Sequence, residues 1–367
     1  MAITISLIKA DTGSIGGHTR PSTKMLDIVK SEINQAKSSL ILDAYVYFIG
    51  DDIGLLMSHT HGENSSIIHN FAWNTFKKAA DQAALEGLYA SGQDLLADAP
   101  SGNVRGAGPG VAELTVEFGT KDRPVESFMM FAADKCGPGV FNLPLYLTFA
   151  DPMYCAGLML PNMNQGFSFN VIDMNDHEHK SLDLSAPQDL YSLAILLRDT
   201  DRFGITSIKS NLFKHKAVSV STDRLHTISG KYVGKDDPVA LVRTQGIFPA
   251  AEEVINPWYK VPYVGGGSRG SHNMPIVPMA QNSPVTGFYC LPIICAMAFS
   301  VSKDGKLSEP VDMFASPVWD YVRLEAQRKA IEMRNQGFFG AAMLPENELE
   351  YGEYKTVLKN ILARFRS

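Results

Sequence analysis

Apolar positions along the chain follow two periods, and the places where one gives way to the other outline the elements. Ala2 to Lys9 is rich in β-branched and aliphatic residues and runs into Asp11 and a loop containing Gly13, Gly16, Gly17 and His18, so a strand delivers an acid to a glycine-rich turn. From Pro21 onward, Met25, Ile28, Val29 and Ile33 recur at helical spacing, with the proline near the start. A second strand is expected over Ser39 to Ile49, stopping at Gly50-Asp51-Asp52. Ile67 to Leu88 reads as a long amphipathic helix through Ile68, Phe71, Ala72, Phe76, Ala79, Ala80 and Ala83.

Further strands are expected at Glu113 to Phe118, Ser127 to Ala132, Gly166 to Ile172, Ala217 to Ser221, Val239 to Arg243 and Ile293 to Val301. Helices are expected at Pro187 to Leu197 and Pro317 to Asn335. No repeat, low-complexity tract or linker interrupts this mixture, which predicts a single α/β catalytic domain over residues 1–367.

Composition narrows the class. A chain of 367 residues buries a substantial core without staples. A net charge of -6, with no Lys/Arg stripe interleaved with aromatics, argues against nucleic acid as a partner. The four cysteines, Cys136, Cys155, Cys290 and Cys295, form no CxxC pair, so buried free thiols and a reducing cytoplasm are expected rather than zinc knuckles or disulfides. Met1 to Lys9 is too short for a secretory core, and the longest apolar run, Phe288 to Phe299, contains Pro292 and reads as a buried strand rather than a membrane span.

The candidate chemistry lies in acids that follow apolar or glycine-containing runs: Asp11, Asp51, Asp52, Asp134, Asp236 and Asp237. Magnesium takes oxygen ligands in octahedral geometry, and such acids can converge on a shared cleft, with His18 and Gln93 completing a shell. Any one of them alone reads equally as a helix cap or solvated turn. Two adjacent acids on a strand point to opposite faces, so Asp51-Asp52 can bridge two ions only at a turn or strand end, and Gly50 makes a turn there. Lys235 is followed by Asp236 and Asp237, whose charges favour the ammonium. Metal ions on those acids reverse the argument and favour a free amine able to attack a carbonyl; the plain alternative is a surface ion pair. Tyr232 precedes it by three residues and reads either as a proton donor and acceptor or as a packed aromatic. His59, His61 and His69 read as turn or surface histidines rather than a zinc site. Asp176 to Lys180 reads as a solvated loop.

Taken together, the strings Lys9-Ala10-Asp11, Gly16-Gly17-His18, Gly50-Asp51-Asp52, Gly87-Leu88-Tyr89, Gly92-Gln93-Asp94-Leu95-Leu96 and Ser101-Gly102-Asn103-Val104-Arg105-Gly106 closely resemble the bifunctional fructose-1,6-bisphosphate aldolase/phosphatase family of archaea and some bacteria. So do Asp134-Lys135, Asn142-Leu143-Pro144-Leu145-Tyr146, Gly230-Lys231-Tyr232-Val233-Gly234-Lys235-Asp236-Asp237-Pro238 and Arg269-Gly270-Ser271-His272-Asn273, so that the match runs nearly the whole chain. The resemblance implies a layered α-β-β-α sandwich with mixed sheets, assembled as a homo-octamer in the cytoplasm. It also implies one gluconeogenic active site that condenses dihydroxyacetone phosphate with glyceraldehyde 3-phosphate and then hydrolyses the 1-phosphate of the bisphosphate.

On the same resemblance, Lys235 is the Schiff-base lysine, Tyr232 the aldolase proton shuttle and Asp11 the group that activates water. Several magnesium ions are implied on Asp11, His18, Asp51, Asp52, Gln93, Asp134, Asp236 and Asp237. Substrate-binding positions implied are His18, Tyr89, Gly102, Asn103, Lys135, Gln245, Arg269 and Tyr351, with Tyr289 at a substrate-binding position whose residue departs from the pattern. Two positions depart from the pattern. Phe288-Tyr289-Cys290-Leu291-Pro292 stands where the family has an Asp that contacts substrate hydroxyls, and Gly246 stands where a basic phosphate-binding residue is common. These departures leave open a related enzyme acting on another sugar phosphate; a non-catalytic relative that binds sugar phosphate is the remaining alternative.

Overall fold

The computed structural model describes residues 2–37, 39–95, 108–118, 124–174, 180–221, 236–260, 263–265, 272–287, 291–337, 340 and 354–365. The first strand, β1 (Ala2–Asp11), alternates faces as a pleated strand must: Ile3, Ile5 and Leu7 enter one core cluster, and Ile8 and Ala10 enter another. Lys9 and Asp11 share the parity of Ile3, Ile5 and Leu7. Helix α1 (Thr23–Ala36) follows, with the Ser22 hydroxyl accepting from the Met25 amide at 3.2 Å, a cap whose removal costs about 1 kcal/mol.

Strands β2 (Asp43–Ile49) and β3 (Asp52–His59) form a hairpin whose two loop residues are Gly50 and Asp51. Gly50 has φ +54, a conformation that tight hairpins require and that glycine adopts without strain. Helix α2 (Ser66–Leu85) then crosses back against α1, and β4 (Gly110–Glu117) completes a four-stranded sheet in the order β2-β3-β1-β4, all neighbours antiparallel. Met25, Val29, Ile68, Ala72 and Phe76 of the two helices pack on Ile8, Ala10, Ile53, Leu55 and Met57.

The second sheet is larger. It comprises β5 (Val125–Asp134), β6 (Phe167–Asp173), β7 (Ser181–Ala186), β8 (Phe203–Ser210), β9 (Lys216–Val220), β10 (Val239–Thr244), β13 (Val277–Pro278), β14 (Ile293–Ser302) and β15 (Val311–Asp312). All described pairings in it are antiparallel except β13 with β14. A short ribbon of β11 (Tyr263–Gly265) and β12 (Asn273–Pro275) stands apart. Helices α3 (Asn142–Phe149), α4 (Leu190–Leu197), α5 (Ala251–Ile255) and α6 (Val318–Arg334) accompany this sheet, and α7 (Tyr354–Leu362) ends the described chain.

Strand β5 divides its residues between two layers. Phe128 stacks with Phe299 at 5.8 Å, and Phe299 meets Tyr45 of the small sheet at 5.4 Å, so this face lies between the sheets. Phe131 instead stacks on Trp258 at 5.7 Å and meets Phe141 at 6.1 Å, in the layer that also holds Phe314 and Trp319. The resulting order is helices, small sheet, large sheet, helices, the layered α/β fold that the sequence resemblance implies. Asp134 shares the parity of Phe128, Met130 and Ala132, so it too faces the interval between the sheets.

Ten elements are not expected from the sequence: β3, α3, β7, β8, α5, β11, β12, β13, β15 and α7. Every residue of β3 is buried, so it carries no alternation. Helix α3 is apolar almost all round and contains Pro144, tolerated in its first turn. Both features hide a helical period. Among the described residues, no helix is long and apolar enough to cross a membrane.

Candidate active site

At one end of the interval between the sheets, three strands present acids to the same point. Asp11 closes β1 directly opposite Asp52, which opens β3. Asp134 closes β5 in the facing sheet. Asp51 occupies the hairpin turn, so it escapes the rule that adjacent strand residues face apart and joins Asp52 in one cluster. Gly50 is needed here for a second reason: a Cβ on it would lie 1.5 Å from Asp134 Oδ2.

Asp237 arrives from the start of β10. Its amide donates to the Cys136 carbonyl at 2.8 Å, and its Oδ1 accepts from the Cys136 amide at 2.8 Å. Lys135, between Asp134 and Cys136, takes the left-handed conformation at φ +62, as Asp237 does at +48. Lys135 Nζ donates to Asp134 Oδ1 at 2.8 Å and to Asp51 Oδ1. Lys9 Nζ, fully inside β1, donates to Asp52 Oδ2. His18 Nδ1 lies 2.9 Å from Asp51 Oδ2, and its ring meets Tyr89 edge-on with centroids 4.9 Å apart.

The loop after β1 is stitched to the segment after α2. Ser14 and Tyr89 exchange backbone bonds at 3.0 and 3.1 Å, the Gly92 amide reaches the Thr12 carbonyl at 3.1 Å, and the Asp11 amide donates to Asp94 Oδ2 at 2.9 Å. These bonds bring His18, Tyr89 and Gln93 toward the acids.

The cluster holds more negative charge than its own cations neutralise. Burial, then the charge of Asp51, pushes the Asp11 carboxyl well above the usual carboxylate range. Asp134 is likewise raised by burial, with Asp51 and Asp52 adding to it and Lys135 opposing it. Burial and Asp236 push Asp237 up to about 7. Asp51 goes the other way: burial disfavours its charge, but Lys135 and His18 outweigh that and hold it below the usual range. Lys135 is disfavoured by burial, yet Asp134 and Asp51 hold it well above the ordinary lysine value.

Such a surplus fits divalent cations. One ligand atom each from Asp11, His18 and Asp51 lie within 4.8 Å of one another, and so do one each from Asp51, Asp52 and Asp134. Oxygens on opposite sides of a magnesium ion stand about 4 Å apart, so both triads suit an ion of that size. Asp51 belongs to both. Asp134 Oδ2, Gln93 Oε1 and Thr12 Oγ1 are buried oxygens without a hydrogen-bond partner among the described residues, as expected of atoms meant for a cation or a ligand. The donor set is nearly all oxygen, which selects hard ions over zinc or copper.

The family model described as fructose-1,6-bisphosphatase matches residues 2–366. The chain belongs to this fructose-1,6-bisphosphatase family. Among its curated relatives, the fructose-1,6-bisphosphate aldolase/phosphatase of Thermus thermophilus is 52% identical over the whole of both chains. Proteins of the same name from Cenarchaeum symbiosum and Pyrobaculum neutrophilum are 45% and 43% identical, over 96% and 100% of this chain and 92% of each relative.

For this member of the fructose-1,6-bisphosphatase family, the described structure brings together Asp11, His18, Asp51, Asp52, Asp134, Lys135 and Asp237, with Asp236, Tyr89 and Gln93 on adjoining segments. Tyr232 and Lys235, Gly102 and Asn103, Arg269, Tyr289 and Tyr351 lie outside the described residues. Gln245 is not brought to the acids: it follows the far end of β10, whose six residues span about 20 Å. It accepts from the Ser127 hydroxyl at 3.1 Å there. Gly246 has φ +68 in the turn that returns the Phe248 amide to the Gln245 carbonyl, which gives the glycine at this family position a conformational reason.

Two groups in the site have no role that sequence patterns assign. Lys9 stands in a strand whose neighbours are apolar, and its parity with Asp11 is the available signal. Asp94 is visible only as part of a string. The histidines require a correction: His59 and His69 are fully buried, not turn or surface residues, because His59 ends β3 rather than lying in a loop. Cys136, Cys155 and Cys295 are buried free thiols, as expected, and Cys290 lies outside the described residues.

Proposed function

We propose that this chain is a bifunctional, magnesium-dependent fructose-1,6-bisphosphate aldolase/phosphatase, with residues 1–367 acting as one catalytic unit. The carrying observation is the pair of cation-sized triads sharing Asp51, in a chain 52% identical over its full length to a relative of that name. Asp11, His18, Asp51, Asp52, Asp134 and Asp237 would hold the ions with Gln93 and Asp236. Magnesium supplies charge that neutralises phosphoryl oxygens and lowers the pKa of a water nucleophile.

The chain's own groups would do the rest. In the synthetic direction, the Lys235 amine attacks the carbonyl of dihydroxyacetone phosphate, loses water and forms a Schiff base, and Tyr232 moves the proton at the carbon that attacks glyceraldehyde 3-phosphate. In the hydrolytic step, Asp11 accepts the proton of the water that attacks the 1-phosphate. Tyr89, Gly102, Asn103, Lys135, Arg269, Tyr289 and Tyr351 would hold the sugar phosphate. The product, fructose 6-phosphate, would serve gluconeogenesis in the cytoplasm.

Self-assembly is part of the reading. Helix α4 buries Leu193 and Leu197 but exposes Tyr191 and Ile195, and its Ala194 and Leu197 line a cleft of about 310 Å³ with Leu143 and Tyr146 of α3. An apolar surface of this kind supports contact with another copy, and the family resemblance supports an octamer. Gln245, a strand's length from the acids of its own chain, would meet substrate only in the site of a second copy.

The test is twofold. Borohydride with dihydroxyacetone phosphate should trap label on Lys235, and Lys235→Ala should abolish trapping while phosphate release from fructose 1,6-bisphosphate stays magnesium-dependent. Label persisting in Lys235→Ala would reject the Schiff-base assignment. Turnover confined to another sugar phosphate would reject the substrate.

A further inference from the structure

Lys135 and Lys9 both neutralise acids of the cluster, but their geometries have different consequences. Lys9 engages Asp52 through Oδ2. An ion taking the other oxygen of Asp52 would leave that bond in place. Lys135 sits between Asp51 and Asp134, on Oδ1 of each, and the second oxygen of Asp51 is already engaged by His18. Each oxygen of Asp51 thus already has a partner, so an ion binding there must share that oxygen or displace the partner. Asp51 is nonetheless the residue common to both triads.

We propose that the Lys135 ammonium is an exchangeable internal cation: it holds Asp51 and Asp134 together in the metal-free enzyme, and a divalent ion displaces it when it binds. This inference rests on the proposed reading that Asp51, Asp52 and Asp134 take such an ion. Two positive groups cannot share the space between the same carboxylates, since their repulsion there is little screened by water. The backbone around Lys135 does not have to move. Cys136 is tied to Asp237 by two 2.8 Å bonds, and the left-handed turn at Lys135 is held between that clasp and the end of β5. The four-carbon stem moves alone, which a flexible lysine side chain allows and a rigid guanidinium would not. Asp134 Oδ2, without a hydrogen-bond partner among the described residues and packed over Gly50, is the oxygen already available to the incoming ion. Once displaced, the ammonium stands beside the ions, where the phosphoryl group of the substrate would come to rest.

Manganese binding to the full chain, stripped of metal by chelation and followed by calorimetry and by the electron paramagnetic resonance of the ion, tests the exchange. Lys135→Met should bind manganese at least about tenfold more tightly than wild type, because the competitor is gone. Asp134→Asn should bind it more weakly. Equal or weaker binding by Lys135→Met, with Asp134→Asn still impaired, overturns the exchange and leaves the metal site standing. Failure of the wild type to bind manganese, or wild-type binding by Asp134→Asn, overturns the metal site and the exchange together. If Lys135→Met does not fold without metal, acetylation of wild-type lysines read by peptide mass spectrometry decides. Labelling of Lys135 should rise when magnesium is added, and unchanged or reduced labelling overturns the exchange.

Discussion

The same two strands carry polar clusters on both of their faces, and the two are built on opposite principles. On the helix-facing side of β1 and β3, the Ser6 hydroxyl donates to Glu113 Oε1 at 2.6 Å and lies 2.8 Å from His59 Nε2. His59 Nδ1 accepts from the His61 amide at 3.2 Å, which makes Nε2 the protonated nitrogen. Glu113 also takes His69 Nε2 at 3.3 Å and the Asn64 amide at 2.5 Å. In this network the groups named have mates, and the buried Glu113 is held below its ordinary range: burial opposes its charge, and His69 and Asn64 overcome it. On the face between the sheets, Lys9, Asp11 and Asp52 join Asp51, Asp134 and Asp237, where acids repel one another and Asp134 Oδ2 has no mate among the described residues. A satisfied buried network stabilises a fold, whereas an unsatisfied one calls for a ligand.

The largest expected effect comes from breaking the second face at its tightest contact. Gly50→Ala forces a side chain onto Asp134 at a backbone conformation that L residues rarely adopt, and should cut magnesium-dependent phosphate release about a thousandfold, near 4 kcal/mol in barrier. Activity within tenfold of wild type would show that the seat of Asp134 does not matter. Next, Ser6→Ala leaves Glu113 and His59 each short of a partner, and should lower unfolding free energy by about 1–3 kcal/mol with kcat unchanged. A fall in kcat at constant stability would erase the distinction between the faces. Asp134→Asn should do the reverse in the metal-free protein, removing a charge the fold resists and raising the melting temperature, as a thermal melt would record. A destabilisation like that of Ser6→Ala would contradict it.

The smallest effect separates the faces by the sign of their pH dependence. His59, whose proton affinity burial lowers from 6.5 to about 4, binds fewer protons folded than unfolded in that window, so its share of stability rises with pH and is lost as pH falls from 6.5 toward 4. Asp237, raised from 3.8 to about 7, binds more protons folded, so in metal-free protein its share falls as pH rises from 4 to 7. Denaturant midpoints across that range should lose the second slope in Asp237→Asn and keep the first. Retention of both slopes in that variant would assign the effect elsewhere.

Much of this contrast is legible in the amino-acid sequence. A run of β-branched and aliphatic residues marks β1, which is buried on both faces, and the helical period marks α1 and α2, which each bury one face. Acids after apolar runs point to Asp11, Asp51, Asp52 and Asp134, and Gly50 to the turn that lets the middle two converge. β3 is hidden because it is buried on both sides, and with it the burial of His59 is lost. The role of Lys9 escapes a linear pattern because a lysine in a strand gains its meaning only from the residue across the ladder, here Asp52. Gln245 matches a family pattern, but only the length of β10 reveals its separation from the acids.

The most direct test of the central claim is the number of manganese ions bound by Asp51→Asn, since Asp51 belongs to both triads. Calorimetric titration of the metal-free chain should show affinity at both sites reduced at least about a hundredfold, near 2.7 kcal/mol each, while the fold survives. Wild-type stoichiometry and affinity in Asp51→Asn would contradict the account.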